Sequence, residues 1–188
     1  MCMTFTWTQH RFSGGALALD VANSVILRFD AGRRIDRYAD PVALSDFAEA
    51  ANRFSAEKEL FGTLEPVALE NRDAFLDLRE AADRHFRARV LGASTGEDLA
   101  DLLDAASVII RRHPAKTART PLDAATARSA LMLATFAEPE RLKICPICQW
   151  LFLDRSRNRS RTWCDMTVCG NRMKANRHYR RQKKDFAA

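Results

Sequence analysis

The chain has 188 residues, 47% of them hydrophobic and 29% charged, with a net charge of +6. That fits one domain of ordinary size, or one domain with a small appendix, and excludes a long disordered chain. The most apolar stretches, Val25 to Leu27 and Ala130 to Phe136, fall far short of the ~20 residues a membrane span needs, so no membrane partner is expected.

Near the start, Gly14-Gly15 marks a turn, and Ala16 to Val25 suits a short buried helix. Asp20 and Asn23 interrupt this apolar run, and no positive segment precedes it, which argues against a secretory signal. A cytoplasmic location is expected, where thiols stay reduced. Ile26 to Phe29 and Arg34 to Tyr38 fit a short β-hairpin around the turn Asp30-Ala31-Gly32-Arg33. From Asp40 to Glu138 the periodicity is helical. Asp40-Pro41 opens a helix with the stripe Leu44, Phe47, Ala48, Ala51 and Phe54. A second helix is expected from near Pro66, with Phe75, Leu78, Ala82, Phe86 and Val90 inward and Gly92 as its stop. Ser94 and Glu97 form a capping-box pattern for a third, with the stripe Leu99, Leu102, Leu103, Ala106 and Ile110. A fourth, capped at Thr120-Pro121 and running to about Ala137, is apolar on most faces and belongs at the centre. Glu138-Pro139-Glu140 then marks a boundary between residues 1–138 and a module at 141–188.

Charge divides at the same place. From Arg141 onward there are 13 Lys and Arg against 3 Asp, a net +10, which leaves −4 on the first 140 residues. A basic module on a near-neutral body suggests a polyanion as partner.

The module holds four of the five cysteines. Cys145 and Cys148 are spaced C-x2-C, fifteen residues follow, and Cys164 and Cys169 are spaced C-x4-C. Two thiolates three positions apart can face one ion, and four close a tetrahedral shell around a structural zinc with no open position for water. The bland alternative, small buried residues or two disulfides, suits neither the spacing nor a reducing compartment. Cys2 stands far away and has no assigned role. Trp150 to Leu153 reads as a strand, Asp154 to Arg161 as a polar turn, and Gly170 to Lys184 as a basic helix. The order of knuckle, hairpin and helix is treble-clef-like. With so little apolar content, the module should draw much of its folding energy from the metal.

Arg155, Arg157, Arg159 and Arg161 alternate, and would share one face if that stretch were extended. On the last helix Lys174, Arg177, Arg181 and Lys184 fall within about 80° of one another. Two such surfaces suit a phosphate backbone. A merely solvated face is the alternative, and His178 is expected on the surface rather than on the metal.

These residues resemble a known family. Cys145 to Cys148, Trp150 to Asp154, Ser156-Arg157-Asn158, Trp163 to Met166 and above all Cys169-Gly170-Asn171-Arg172 resemble the CGNR zinc finger. The run Gly15 to Ser24 looks like the opening of the ABATE domain, a helical domain that precedes this finger in bacterial proteins proposed to be stress-responsive transcription regulators. The resemblance implies zinc on the four cysteines and DNA binding by the finger. One departure is the first cysteine pair, set more closely than in many members.

The expected fold is therefore mainly α, a helical body followed by a zinc finger. The expected function is a DNA-binding transcription regulator, with Arg and Lys on the phosphates of double-stranded DNA. Asn171, Arg172 or Arg177 would reach base edges, or Asn171 and Arg172 would instead brace the zinc site. An RNA-binding module and a protein-docking module are the alternatives, and exposed Trp150, Trp163 or Tyr179 would favour RNA. Asp20 and Asn23 either line a ligand pocket in a sensing body or hydrogen-bond the backbone. A small-molecule ligand and a homodimer stay open as further partners. No P-loop, dinucleotide fingerprint or H-E-x-x-H motif is present, and His10, His85 and His113 look isolated, so no enzyme is expected.

Overall fold

The computed structural model describes residues 5–113, 119–176 and 179. The fold is mainly α. After a tight turn at Gln9–Phe12 come α1 (Leu17–Ala22), the antiparallel pair β1 (Val25–Ile26) and β2 (Ile35–Asp36), and α2 (Pro41–Phe54). Then follow β3 (Thr63–Glu65), α3 (Arg72–Val90), α4 (Gly96–Arg112), β4 (Arg119–Pro121) and α5 (Leu122–Ala134). Last come β5 (Leu142–Ile144) and β6 (Leu151–Leu153), a π-helical turn at Met166–Gly170, and helical residues 171–176. Among the described residues no helix is long and apolar enough to cross a membrane.

Local chemistry explains most boundaries. The Asp40 side chain accepts from the Val42 N–H at the start of α2, and Pro41 occupies the first turn. Gly92 takes φ +69 just after α3. The capping box of α4 lies one residue later than expected, on Thr95 and Asp98. Ser94/Glu97 and Thr95/Asp98 both satisfy the spacing, and the chain uses the second.

Three expectations are corrected. The helix expected from Pro66 starts at Arg72, because Thr63–Glu65 pairs in parallel with Arg119–Pro121. Thr120-Pro121 is thus strand rather than cap, and Thr120 Oγ1 donates to the Phe61 carbonyl. In α4 the buried stripe is Leu102, Ala106 and Ile109, while Leu99 and Leu103 remain 38% and 45% exposed.

Two large clusters make the core. One is aromatic and joins Trp7, Phe12, Tyr38, Phe47 and Phe75 to α1, α2 and the start of α5. The other joins α1, α3, α4 and α5 through Leu19, Leu78, Phe86, Leu102, Ile109 and Leu133. Leu142, Leu151 and Leu153 of the β5–β6 hairpin belong to that second cluster, so the basic module packs directly on the helices.

Helix α1 is the hub, and all six of its residues are buried. A buried helix N-terminus needs acceptors for its free N–H groups. Glu57 Oε2 accepts from the Leu17 N–H at 2.8 Å, and Ser129 Oγ accepts from the Ala18 N–H at 3.0 Å while donating to Glu57. Asp20 Oδ1 accepts from the Gly14 N–H at 2.8 Å. Burial pushes the Asp20 carboxyl well above the usual range, against that hydrogen bond.

Candidate metal centre

The Cys145–Cys148 knuckle is the turn of the β5–β6 hairpin. The Gln149 N–H donates to the Cys145 carbonyl, and the Cys145 N–H to the Trp150 carbonyl. Gln149 sits at φ +63, which lets the chain reverse directly after the second thiol. Of the other two thiols, Cys164 precedes the π-helical turn and Cys169 lies within it; the first N–H groups of the turn are capped by Asp165 through Thr167 and Val168. Knuckle, strand, turn and helix thus follow in the order expected.

All four sulfurs lie within 4.8 Å of one another, with Cys148 to Cys164 at 3.4 Å and Cys164 to Cys169 at 3.8 Å. Sulfurs around a tetrahedral zinc with Zn–S near 2.3 Å stand about 3.8 Å apart. The four cysteines are free thiols, which removes the disulfide alternative. Three of them are buried, beside Trp150 and Phe152. Without zinc the four cannot all ionise. Cys148 and Cys164 donate to Cys145 and hold its thiol far below the usual range, while Cys148 and Cys164 are themselves pushed up by that hydrogen bonding. Burial, then the charge on Cys145, pushes Cys169 up. Zinc takes the place of the retained protons, so metal uptake and proton release are linked.

Residues 141–182 match the family model of the CGNR zinc finger. No curated protein and no solved structure matches the chain. The four thiols form the zinc site within the segment that matches the CGNR zinc finger, and zinc is its cofactor.

The finger's arginine turn is not extended, which corrects the shared-face expectation. Asp154, fully buried, closes it: its carboxylate accepts from the Ser156 and Arg161 N–H groups, from Ser156 Oγ and from Lys143 Nζ at 2.8 Å. Burial alone would raise Asp154, but these donors hold it well below the usual carboxylate range. The stability it contributes is therefore complete above its unfolded value of ~3.9 and is lost as pH falls. We expect Asp154→Ala to destabilise the protein by about 3 kcal/mol at pH 7, since Lys143 and two N–H groups lose their acceptor, and by about 1 kcal/mol less near pH 3. Equal loss at both pH values in thermal melts would contradict this.

The four arginines have different fates. Arg155 Nε donates to the Gly15 carbonyl at 2.7 Å. Arg159, at φ +52, pairs with Glu138 and Glu140. Arg161 donates to the Cys164 carbonyl and lies over the Phe152 ring. Arg157 is exposed, with no ion pair among the described residues. Beyond the cysteines, Arg172 and Lys174 are also exposed. Asn171 Nδ2 donates to the Thr167 carbonyl at 2.8 Å, inside the loop between the last two cysteines. Arg177, His178, Arg181 and Lys184, like Cys2, lie outside the described residues.

Asp20 and Asn23 are joined to backbone. Asn23 Nδ2 donates to the Leu151 carbonyl at 2.8 Å, and Asn23 Oδ1 accepts from the Leu151 N–H at 3.0 Å. The amide thereby completes both ladder positions of one residue of β6. A cleft of about 760 Å³ lies between Phe29, Arg87, Leu91 and the finger's Lys143, Pro146 and Arg161. Another of about 430 Å³ lies between Glu57, Met132, Phe136 and Arg157. Neither Asp20 nor Asn23 lines these two clefts.

Sequence reasoning missed the residues that join body to finger. His10 Nδ1 lies 2.9 Å from Asp165 Oδ2, and its ring stacks on Trp150 at 5.3 Å. Burial is outweighed by Thr167, His10 and the Thr167 and Val168 N–H groups, so Asp165 is brought down to about 2. His113 is likewise paired, with Asp123 at 3.0 Å. Asp165 lies 155 residues from His10, and Asp123 ten from His113 on a separate element, so neither pair has a helical or strand spacing that would reveal it.

Proposed function

We propose that the protein is a DNA-binding transcription regulator that meets double-stranded DNA through its zinc finger. The observation that carries this reading is the concentration of charge, a net +10 from Arg141 onward, on a module whose Arg157, Arg172 and Lys174 face solvent. Arg155, Arg159 and Arg161 serve internal contacts, so the phosphate-facing set is narrower than the arginine count implies. Arg172 is free to reach a base or a phosphate, whereas Asn171 is engaged in bracing the zinc loop. A four-sulfur shell leaves zinc no open position, which supports a binding protein rather than an enzyme. Four reduced thiols are consistent with a cytoplasmic site of action.

The likeness of Gly15 to Ser24 to the ABATE opening, with the cleft of about 760 Å³ between body and finger, makes the body the unit that would sense a small molecule. RNA is the second reading: Tyr179 is 67% exposed and offers one stacking surface, although Trp150 is buried against His10.

The test is selection. Zinc-loaded protein is mixed with fragmented genomic DNA at physiological salt, and the retained fragments are sequenced. Enrichment of a few discrete sites supports the regulator; uniform retention contradicts it and directs the search to RNA. Arg157→Ala and Lys174→Ala should each weaken binding about fivefold at 0.15 M salt and lower the salt slope by about 1, because each phosphate contact releases counterions. Arg159→Ala, ion-paired internally, should change binding little; a drop equal to that of Arg157→Ala would reverse the assignment.

A further inference from the structure

Two guanidinium groups from distant parts of the chain lie over one ring beside the finger, and a third, on Arg172, acts on that of Arg11 electrostatically. Arg11 belongs to the turn Gln9–Phe12, Arg37 to the turn Arg37–Ala39 that follows β2, and Arg172 to helical residues 171–176. Arg37 lies 4.0 Å from the centre of the Phe5 ring, and Arg11 lies 5.7 Å from the same ring and 5.6 Å from that of Trp150. One aromatic ring thus serves two cations. Burial, then the like charges of Arg37 and Arg172, disfavour the protonated form of Arg11.

Several buried or half-buried arginines in this molecule meet a carboxylate, while Arg89 and Arg161 donate to the Ala134 and Cys164 carbonyls. Arg79 has Asp36 and Glu80, Arg87 has Asp83, and Arg28 has Glu80 and Asp83. Among the described residues Arg11, Arg37 and Arg172 have none, and Arg37 Nε is buried without a hydrogen-bond partner. Thiolates held on a bound zinc would offset part of this charge. Holding like charges together is unfavourable unless a further anion joins them.

We propose that Arg11, Arg37 and Arg172 form one phosphate clamp, so that the nucleic-acid contact of the finger continues onto the helical body and grips a backbone phosphodiester there. This rests on the nucleic-acid reading above and extends it to two residues outside 141–182. A planar guanidinium fork matches two phosphate oxygens, and such contacts set register rather than sequence.

The test is a salt titration of duplex DNA binding by the full zinc-loaded chain. Arg11→Ala and Arg37→Ala should each lower affinity about fivefold at 0.15 M salt, at every sequence, and reduce the salt slope by about 1. Zinc content should stay at one ion, which separates the clamp from support of the metal site. Arg37→Lys, which keeps the charge, should retain the slope and lose only part of the affinity. Unchanged affinity and slope in both alanine variants, with Arg157→Ala still weakened, would overturn the clamp and leave the nucleic-acid reading standing. A wild-type chain that binds no nucleic acid would overturn that reading itself. If such a chain bound inorganic phosphate in calorimetry, and Arg37→Ala abolished it, the anion would be a free phosphate and the proposed source would be wrong.

Discussion

Chelating the zinc is expected to unfold the finger over its described residues 141–176 and to lower the melting temperature of the whole protein. Structural zinc in isolated finger peptides contributes an apparent ~10 kcal/mol or more at pH 7. In this chain the loss extends inward, because Leu142, Leu151 and Leu153 lie in the same buried cluster as Leu78, Phe86 and Leu133. Trp150 and Trp163 pack with the cysteines and report the change by fluorescence, while calorimetry reports the body. Cys148→Ser should reproduce the effect at a half-buried ligand. Zinc affinity should also fall as pH falls, since three of the four thiols are pushed up before the metal displaces their protons. A chain that binds one zinc yet melts identically without it would refute a structural role.

Asn23→Ala is expected to be the most damaging substitution outside the finger. Its amide satisfies both the N–H and the carbonyl of Leu151, in a place closed to water. Leaving both buried groups without partners costs about 2–5 kcal/mol. At this chain length that is a fall of about 10 °C in melting temperature. Asn23→Asp keeps the acceptor for the Leu151 N–H, loses the donor to its carbonyl, and buries a charge, so it should be no better. A loss below ~0.5 kcal/mol in either variant would show that the amide does not hold β6.

The parts of the fold legible in the sequence are those that local physics dictates. Asp40-Pro41, Gly92 and the spacing of Leu44, Phe47, Ala48 and Ala51 each act within a few residues, and the structure keeps them. The four cysteines were legible because a metal demands fixed ligand chemistry at short spacing. The parallel pair Thr63–Glu65 with Arg119–Pro121 was not, since three-residue strands with more than fifty residues between them leave no periodic signature. The alternating arginines resembled a strand face, but the buried carboxylate of Asp154 folds that stretch into a closed turn. Asn23 was visible as an oddity in an apolar run, yet its partner is 128 residues away and nothing near it in sequence names Leu151.

The Gly14–Gly15 turn sets one more condition. A side chain on Gly14 would meet Asp20 Oδ1 at 2.6 Å, and a Cβ on Gly15 would lie 3.0 Å from the Leu153 carbonyl oxygen, at a φ of +78 that side chains rarely adopt. Leu153, in turn, donates its N–H to the Gly14 carbonyl at 2.7 Å. During synthesis the segment around Gly14 leaves the ribosome long before β6 exists. The groove beside α1 therefore stays open, with its apolar lining uncovered, until the finger emerges and takes up its ion. Ribosomal arrest or proteolytic loss anywhere between α5 and Cys169 would leave that groove permanently exposed, and such fragments should be the ones that chaperones retain and proteases clear.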